Sequence, residues 1–278
     1  MSLEALAPSV LSARIFQRMR KALVFGSVAN REYEGELTFG RSITIPEVSA
    51  ITTNTYTRRT DVTVQEPDSA DKTLFVDQET YTAYDIEDGE MVQAKAKSFA
   101  SDLASEAGYS MADNVDQYLA ALYDEAGDSV TAATSSAGNI LVHISSFQTE
   151  FGENNVPTGE AKFLIVPPWF HTYTLQAATG IVGHTGVPKT MSDNFIINGF
   201  VGELFGLNML VSNNVNNDSS TWNIMGLTRR AMALVYQLNK SEMTRRELRA
   251  ATLFKQFMIY GAKVTRPQAL ISFASTKG

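Results

Sequence analysis

The sequence predicts an α+β chain, and three changes of texture along it carry that expectation. Residues 35–88 alternate apolar and polar side chains with period two, residues 89–127 repeat them every three to four, and short apolar runs then alternate with helical ones. Period two places successive side chains on opposite faces of a strand, whereas a period near 3.6 gathers them on one helix face. The expected order is therefore an extended β region, one long helix and an α/β unit.

The first segment, residues 1–34, is an N-terminal arm. In SARIFQRMRKALVFGSV, Ile15, Met19, Leu23 and Val24 share a helical stripe, with Arg14, Arg18, Arg20 and Lys21 elsewhere. So short an element cannot bury its own apolar side and needs the rest of the chain or a neighbour. The second segment, 35–88, holds ELTFGRSITIP, TRRTDVTVQEP and KTLFVDQETYTAYDI, rich in Thr and β-branched or aromatic residues and broken by Gly40, Pro46 and Pro67. Long antiparallel ribbons are expected, with EPDSADK as an exposed hairpin tip. Because much of the alternation is Thr and charge, the ribbon lacks a core of its own and needs a surface to lie on.

The third segment, 89–127, carries Phe99, Leu103, Ala107, Met111, Val115, Leu119 and Tyr123 at every fourth position. An unbroken helix there would be about 50 Å long at 1.5 Å per residue, with Gly108 as the place for a bend. The fourth, 128–220, is an α/β domain. After the small polar connection AGDSVTAATSSAGN come a helix in ILVHISSFQTEFGENN, a buried strand in AKFLIVPP, a helix in WFHTYTLQAATG and a loop through IVGHTGVPKTMSDNFIINGF. The fifth, 221–278, supplies strands in TWNIMGL, AMALVYQL, LFKQFMIYGAKV and ALISFAS that return to the long helix.

Residues 199–215, GFVGELFGLNMLVSNNV, pose a question of function. A dinucleotide site needs G-x-G-x-x-G between a strand and a helix, so that backbone N–H groups converge on a pyrophosphate. Here the spacing is G-x-x-G-x-x-x-G, and the strand-like LNMLVS follows it. Gly199, Gly202 and Gly206 are therefore read as sites of close backbone approach in a packing element.

Composition removes other classes. With no cysteine, disulfides, thiolate catalysis and cysteine-bound metals are excluded, and a reducing cytoplasm is the expected setting. No apolar run approaches a membrane span, and the N-terminus lacks the pattern of a signal peptide. A net charge of -7 argues against a protein that wraps nucleic acid. Charge is unevenly placed. Residues 35–90 hold twelve acidic and four basic side chains, and residues 229–266 hold nine basic and two acidic, local balances of -8 and +7. The two blocks suit mutual attraction, within a chain or between chains. His143, His171 and His184 lack metal-ligand spacing, and neither a nucleophile elbow nor a P-loop is present. Asp88 before Gly89 reads as a helix cap, not as part of a cation loop. No catalytic, cofactor-binding or metal residue is assigned.

The order of segments is similar to that of phage major capsid proteins of the HK97-like fold, closest to the P22 coat-like branch. The likeness rests on VANREYEGELTFGRSITIP (28–46), FVDQETYTAYDIEDGEM (75–91), FLIVPPWF (163–170), GFVGELFGLNMLVSNNV (199–215) and YGAKVTRPQAL (260–270), which fall in the expected order over nearly the whole chain. The resemblance implies an N-terminal arm (1–34), an E-loop with adjoining strands (35–88), a spine helix of a peripheral domain (89–127), an axial domain (128–220) and returning strands (221–278). It implies a virion subunit that forms hexamers and pentamers of an icosahedral head around double-stranded DNA, which touches the protein only weakly. A separate scaffolding protein and a portal are the further partners, with no membrane and with assembly in the host cytoplasm. The large inserted domain of the P22 coat protein is missing. Some family members crosslink a ribbon lysine to a neighbour's asparagine; Lys72 is the only lysine of this ribbon and reads as an ordinary surface lysine. Charge and position make Arg58, Arg59, Asp68, Asp71, Lys72, Arg245, Arg246 and Arg249 the candidate intersubunit contacts. Two other readings stand beside this one: an encapsulin-like compartment shell, and a soluble α/β enzyme or ligand-binding protein.

Overall fold

The computed structural model describes residues 21, 23–35, 40–47, 51–66, 71–88, 99–182 and 202–278. In chain order they form a helical turn α1 (Phe25–Val28), strands β1 (Ser42–Ile45), β2 (Lys72–Phe75) and β3 (Gln78–Glu87), and helix α2 (Phe99–Ala121), which runs on into a 3-10 turn at Leu122–Glu125. Then come β4 (Asp128–Ser135), α3 (Ile140–Glu153), β5 (Lys162–Val166), α4 (Pro168–Val182), β6 (Glu203–Leu204), β7 (Leu207–Val211), β8 (Asn217–Asp218) and β9 (Thr221–Thr228). Strands β10 (Met232–Arg245), β11 (Ala251–Val264) and β12 (Leu270–Lys277) complete the chain.

Helix α2 is continuous through Gly108 and spans about 35 Å at 1.5 Å per residue. Its four-residue repeat does what the sequence predicts: Ala107, Met111, Val115 and Leu119 are buried. They meet Phe25 and Val28 of α1, Met258 and Tyr260 of β11, and Met225 and Leu227 of β9 in one cluster. Each large apolar side chain buried in this way contributes about 1.5–3 kcal/mol. The arm's expected stripe lies mostly outside the described residues; of the described part, Val24, Phe25, Val28 and Ala29 are buried against the rest of the chain.

Two larger sheets use that helix. In the first, β11 lies between β10 and β3, both antiparallel to it. Alternation sends Met258 and Tyr260 toward α2 and leaves Phe257 and its neighbour Tyr81 on the outer face. In the second the order is β4-β12-β9-β5-β7-β6, with β8 hairpinned onto β9. Leu164, Ile224 and Phe273 pack with Ile144, Phe147 and Phe151 of α3, while Ile165, Met225 and Leu270 point the other way into the α2 cluster.

Several expectations change. The predicted polar connection at 126–139 contains β4, which pairs parallel with β12 at the sheet edge. Its Thr and Ser side chains suit an exposed edge, so no apolar alternation announced it. KTLFVDQETYTAYDI divides after Phe75: β2 pairs with β1, whereas β3 joins β11. The projecting ribbon is therefore limited to β1, β2 and the chain between them. A turn of the ribbon lies at Thr57–Thr60, where Arg59 has φ 69°, and most of EPDSADK lies outside the described residues. Strands β9 and β12 go to the second sheet, and only β10 and β11 form the long hairpin against α2. The loop at 183–201, including Gly199, and the start of the 89–127 helix lie outside the described residues.

Glycine meets two different demands. Gly206, at φ +75° in the β6–β7 turn, has no atom within 4 Å of a built Cβ, so it supplies a left-handed turn and not the expected close approach. Close approach falls instead at Gly261, where a Cβ would stand 2.1 Å from the Phe75 carbonyl oxygen. There β11 passes under the end of β2.

Polar side chains fix how the arm and the second sheet meet α2. The buried carboxylate of Asp116 accepts the Gly26 N–H at 3.0 Å and the Asn214 amide at 3.1 Å, and the same amide donates to Asp113 at 2.7 Å. Burial pushes the Asp116 carboxyl above its ordinary range, against the opposing pull of these hydrogen bonds. Tyr260 donates its hydroxyl to Asn114 Oδ1 at 3.0 Å, and its ring meets Tyr118 edge to face. Burial pushes its phenol up to about 12.

Two outcomes follow. Gly261→Ala should lower subunit stability by about 1–3 kcal/mol or more, because the new methyl must displace strand backbone; thermal melting of the purified subunit measures it. For Tyr260 the neutral phenol is favoured in the folded state, so its contribution is full below pH 10 and is lost as pH rises toward 12. Tyr260→Phe should cost about 1 kcal/mol at neutral pH, for the lost Asn114 bond, and should make the melting temperature fall less steeply across that alkaline interval.

Candidate functional site

What the structure offers to the outside is a surface of projections. Residues 51–66 are nearly all exposed, and among the described residues their side-chain hydrogen bonds join only their own two limbs. Gln65 accepts from the Thr52 N–H at 3.1 Å and returns its amide to the Thr52 carbonyl at 2.7 Å, clasping the limbs below the turn. Ile51, Tyr56, Val62 and Val64 stand in solvent, Val64 at 81% exposure. The β10–β11 hairpin ends in a second projection, with Leu248 98% exposed between Arg246 and Arg249. Isolated exposed apolar side chains are ordinary; a row of them on a ribbon without a core is not.

The candidate contact residues divide into two groups. Arg58 and Arg59 sit exposed at the ribbon turn, and among the described residues neither has an ion-pair partner. Asp71 is exposed just before β2, Arg249 is exposed at the hairpin end, and Asp68 lies outside the described residues.

The other three are engaged within the chain. Lys72 donates to the Thr265 carbonyl at 2.7 Å and pairs with Glu47 at 2.8 Å, holding the root of the ribbon to the end of β11. Its hydrogen bond and charge keep the Glu47 carboxyl below the usual range. Arg245 grips Asp88 with both guanidinium nitrogens, one at 2.9 Å, and Arg246 reaches Asp85 at 3.3 Å. The acidic early block and the basic late block thus meet partly within one chain, across the β3–β11–β10 sheet. The Asp88 hydrogen bond holds the Arg245 guanidinium above its ordinary value. Both pairs are exposed, where ion pairs contribute little to stability.

Sequence reasoning missed the apolar part of this surface. Leu248 is hidden in a charged run, RRELRA, and Tyr81 and Phe257 read as ordinary strand residues until register puts them side by side, ring centroids 6.1 Å apart. Exposure of the outer face of β11 is a tertiary fact.

The concave features have a different character. A cleft of about 610 Å³ at the ribbon root is lined by Glu32, Glu47, Lys72, Arg230 and Arg266, charges of both signs, with Lys72 paired to Glu47 inside it and Arg230 to Glu160 outside it. His143 stacks on Phe273 with centroids 4.9 Å apart, and His171 lies half-buried in α4; burial lowers the pKa of each, as suits packed histidines. Among the described residues no three His, Asp or Glu side chains are placed to hold a metal ion.

No curated protein matches the chain. Among solved structures it is similar to that of Mycobacterium phage Che8, with 22% identity, 98% of each chain covered and a TM-score of 0.82. It is similar to the capsid of cyanophage P-SCSP1u, with 17% identity, 100% of this chain and 95% of that chain covered and a TM-score of 0.78. A virus-like particle from Pyrococcus furiosus shares less: 11% identity, 84% and 86% coverage and a TM-score of 0.53. The model of a family described as phage capsid protein matches residues 71–272, so the chain belongs to the phage capsid protein family, as a major capsid subunit with the HK97-like fold.

Proposed function

We propose that this subunit assembles with copies of itself into the hexamers and pentamers of an icosahedral head enclosing double-stranded DNA. Within the family, the order of segments favours the P22 coat-like branch. The observation that carries the proposal is the ribbon at 51–66, exposed along nearly its whole length and carrying apolar side chains that no described residue covers. Such a segment gains stability only by lying on another copy, and symmetry then repeats the contact around a closed ring. Arg58, Arg59, Asp71 and Arg249, free of ion pairs among the described residues, are the charged contacts we assign to neighbours, with Asp68 beside them in sequence. Lys72, Arg245 and Arg246 act at the same surface while braced within the chain.

The chain's net charge of -7 suits DNA that is contained rather than gripped, so contacts to the genome are weak and salt-sensitive. A structural role without catalysis follows, with assembly in the host cytoplasm on a separate scaffolding protein around a portal. The α/β enzyme reading is not favoured, since Gly206 of the glycine-rich segment makes the β6–β7 turn and the cleft at the ribbon root is lined by charges of both signs.

Size-exclusion chromatography and negative-stain microscopy of the expressed chain test the proposal. Closed particles are expected; a stable monomer under every condition would overturn it. Particles holding protein cargo and no nucleic acid would point to a compartment shell instead. Replacing residues 51–66 with a short Gly-Ser turn should leave the melting temperature of the subunit unchanged and abolish closed shells. Arg249→Glu leaves the Asp85 and Asp88 pairs intact, so it should lower particle yield without lowering subunit stability; normal yield would remove Arg249 from the interface.

A further inference from the structure

The arm turn α1 rests on a buried carboxylate, Asp116, with which no cation pairs among the described residues. We propose that docking of this turn on helix α2 is coupled to a proton on Asp116: the turn is held firmly with Asp116 protonated and loosens as pH rises and the carboxylate ionises. The coupling belongs to the subunit itself and holds whether or not copies assemble into a shell.

Asp116 is 1% exposed. Its Oδ1 accepts the Gly26 N–H at 3.0 Å, and its Oδ2 accepts one N–H of the Asn214 amide at 3.1 Å. The backbone of Val24 and Phe25 adds further hydrogen bonding to the same carboxylate. The arm turn therefore covers it. With Gly26 lifted, water reaches Oδ1 and the charged form regains the hydration that burial removes.

The charged neighbours do not offset that loss. From the arm, Lys21 pairs with Asp113 at 3.4 Å, and Arg31 directs its Nη2 to the Gly26 carbonyl oxygen at 3.2 Å. From α2 itself, Asp113 brings a second carboxylate, which accepts from the same Asn214 amide at 2.7 Å. From β10 comes the Tyr236 phenol, which burial and, to a lesser degree, the Asp116 charge push upward. The turn after β7 offers Asn214 alone, whose Oδ1 is buried without a donor. Two carboxylates thus divide one amide, and a proton on Asp116 both removes the uncompensated charge and supplies a donor to the cluster. Burial accordingly raises the Asp116 carboxyl above its ordinary range in spite of its hydrogen bonds. A carboxyl raised by docking gives docking a contribution that is complete below the ordinary Asp value and is lost as pH rises through the raised one.

Amide hydrogen exchange of the full-length chain tests this at the turn, with rates for peptides covering Val24–Val28 divided by those of the unfolded sequence at each pH, so that only the opening equilibrium remains. Protection should fall about ten-fold between about pH 4 and about pH 8, the change that one pKa step between docked and lifted turn produces. In Asp116→Asn, which keeps an acceptor for Gly26 and cannot ionise, protection should be equal at both ends of that range. Asp113→Asn should keep the fall, because Asp116 is intact. Parental protection that is constant or rises with pH would overturn the coupling, a result that needs no variant to fold. A fall that persists in Asp116→Asn, or that disappears from Asp113→Asn, would overturn the assignment to Asp116. A fall of the same size in the buried strand segment Ile224–Leu227 would mark a general loosening of the chain and equally overturn the proposal.

Discussion

One apolar stripe has to serve two sheets, and the arrangement of the chain follows from that. Ala107, Met111, Val115 and Leu119 occupy one side of α2, yet the β10–β11 hairpin, the inner face of the second sheet and the arm turn at Phe25 all bury against it. Neither sheet could be moved without opening the core of the other, and a close-packed interior tolerates voids poorly. Directional bonds then fix the stacking that apolar contact alone leaves free to slide. Tyr260 ties the hairpin to Asn114, and Asp116 holds both the Gly26 N–H and Asn214 from the turn after β7. Asp116 carries a desolvation cost for this, visible in its raised pKa, and the cost is tolerated because its hydrogen bonds join three separate parts of the chain.

Outside this frame the physical logic reverses. Among the described residues the interior leaves few polar groups unpaired, whereas the ribbon at 51–66 and the hairpin end around Leu248 present exposed apolar side chains and cations. Arg245 and Arg246, close to that hairpin end, brace β10 against Asp85 of β3 and Asp88 just after it, so the projection is stiffened from within. A stiffened projection loses less freedom when it docks, and that saving appears directly in affinity. Charge thus has two uses here: in-chain pairs shape the surface, and unpaired arginines at its extremities remain for contact.

Much of this was legible in the sequence, because two periodicities are the direct imprint of burial. The four-residue repeat marked the buried face of α2, and AKFLIVPP, TWNIMGL and ALISFAS marked strands covered on both faces. The remainder failed where burial leaves no imprint. β4 is a polar edge strand held by its partner β12, so its own residues carried no signal. β3 leaves the ribbon for β11 because of a register set 164 to 182 residues away in the chain, from the Glu87↔Ala251 pairing to Gln78↔Tyr260. Gly261 looks like any strand glycine until Phe75 is placed against it. The contact surface was half readable: charge blocks were visible, but whether a given arginine pairs within the chain or faces outward is decided by the fold.

The distribution of the exposed apolar groups has its own consequence for how a shell can form. Ile51, Tyr56, Val62, Val64 and Leu248 are spread along two thin projections, and on the outer face of the first sheet Tyr81 and Phe257 add a small pair. A broad patch would bind strongly and without orientation, and a subunit carrying one would aggregate before it assembled. Narrow projections bury little area each, so a single misplaced contact is weak and dissociates. Only the arrangement in which every projection of every copy is seated sums the contacts, and closed symmetry is the geometry that achieves this without leaving edges. A rigid two-sheet body around α2 and thin outward elements are therefore complementary requirements, the first fixing the angles between copies and the second keeping each step reversible.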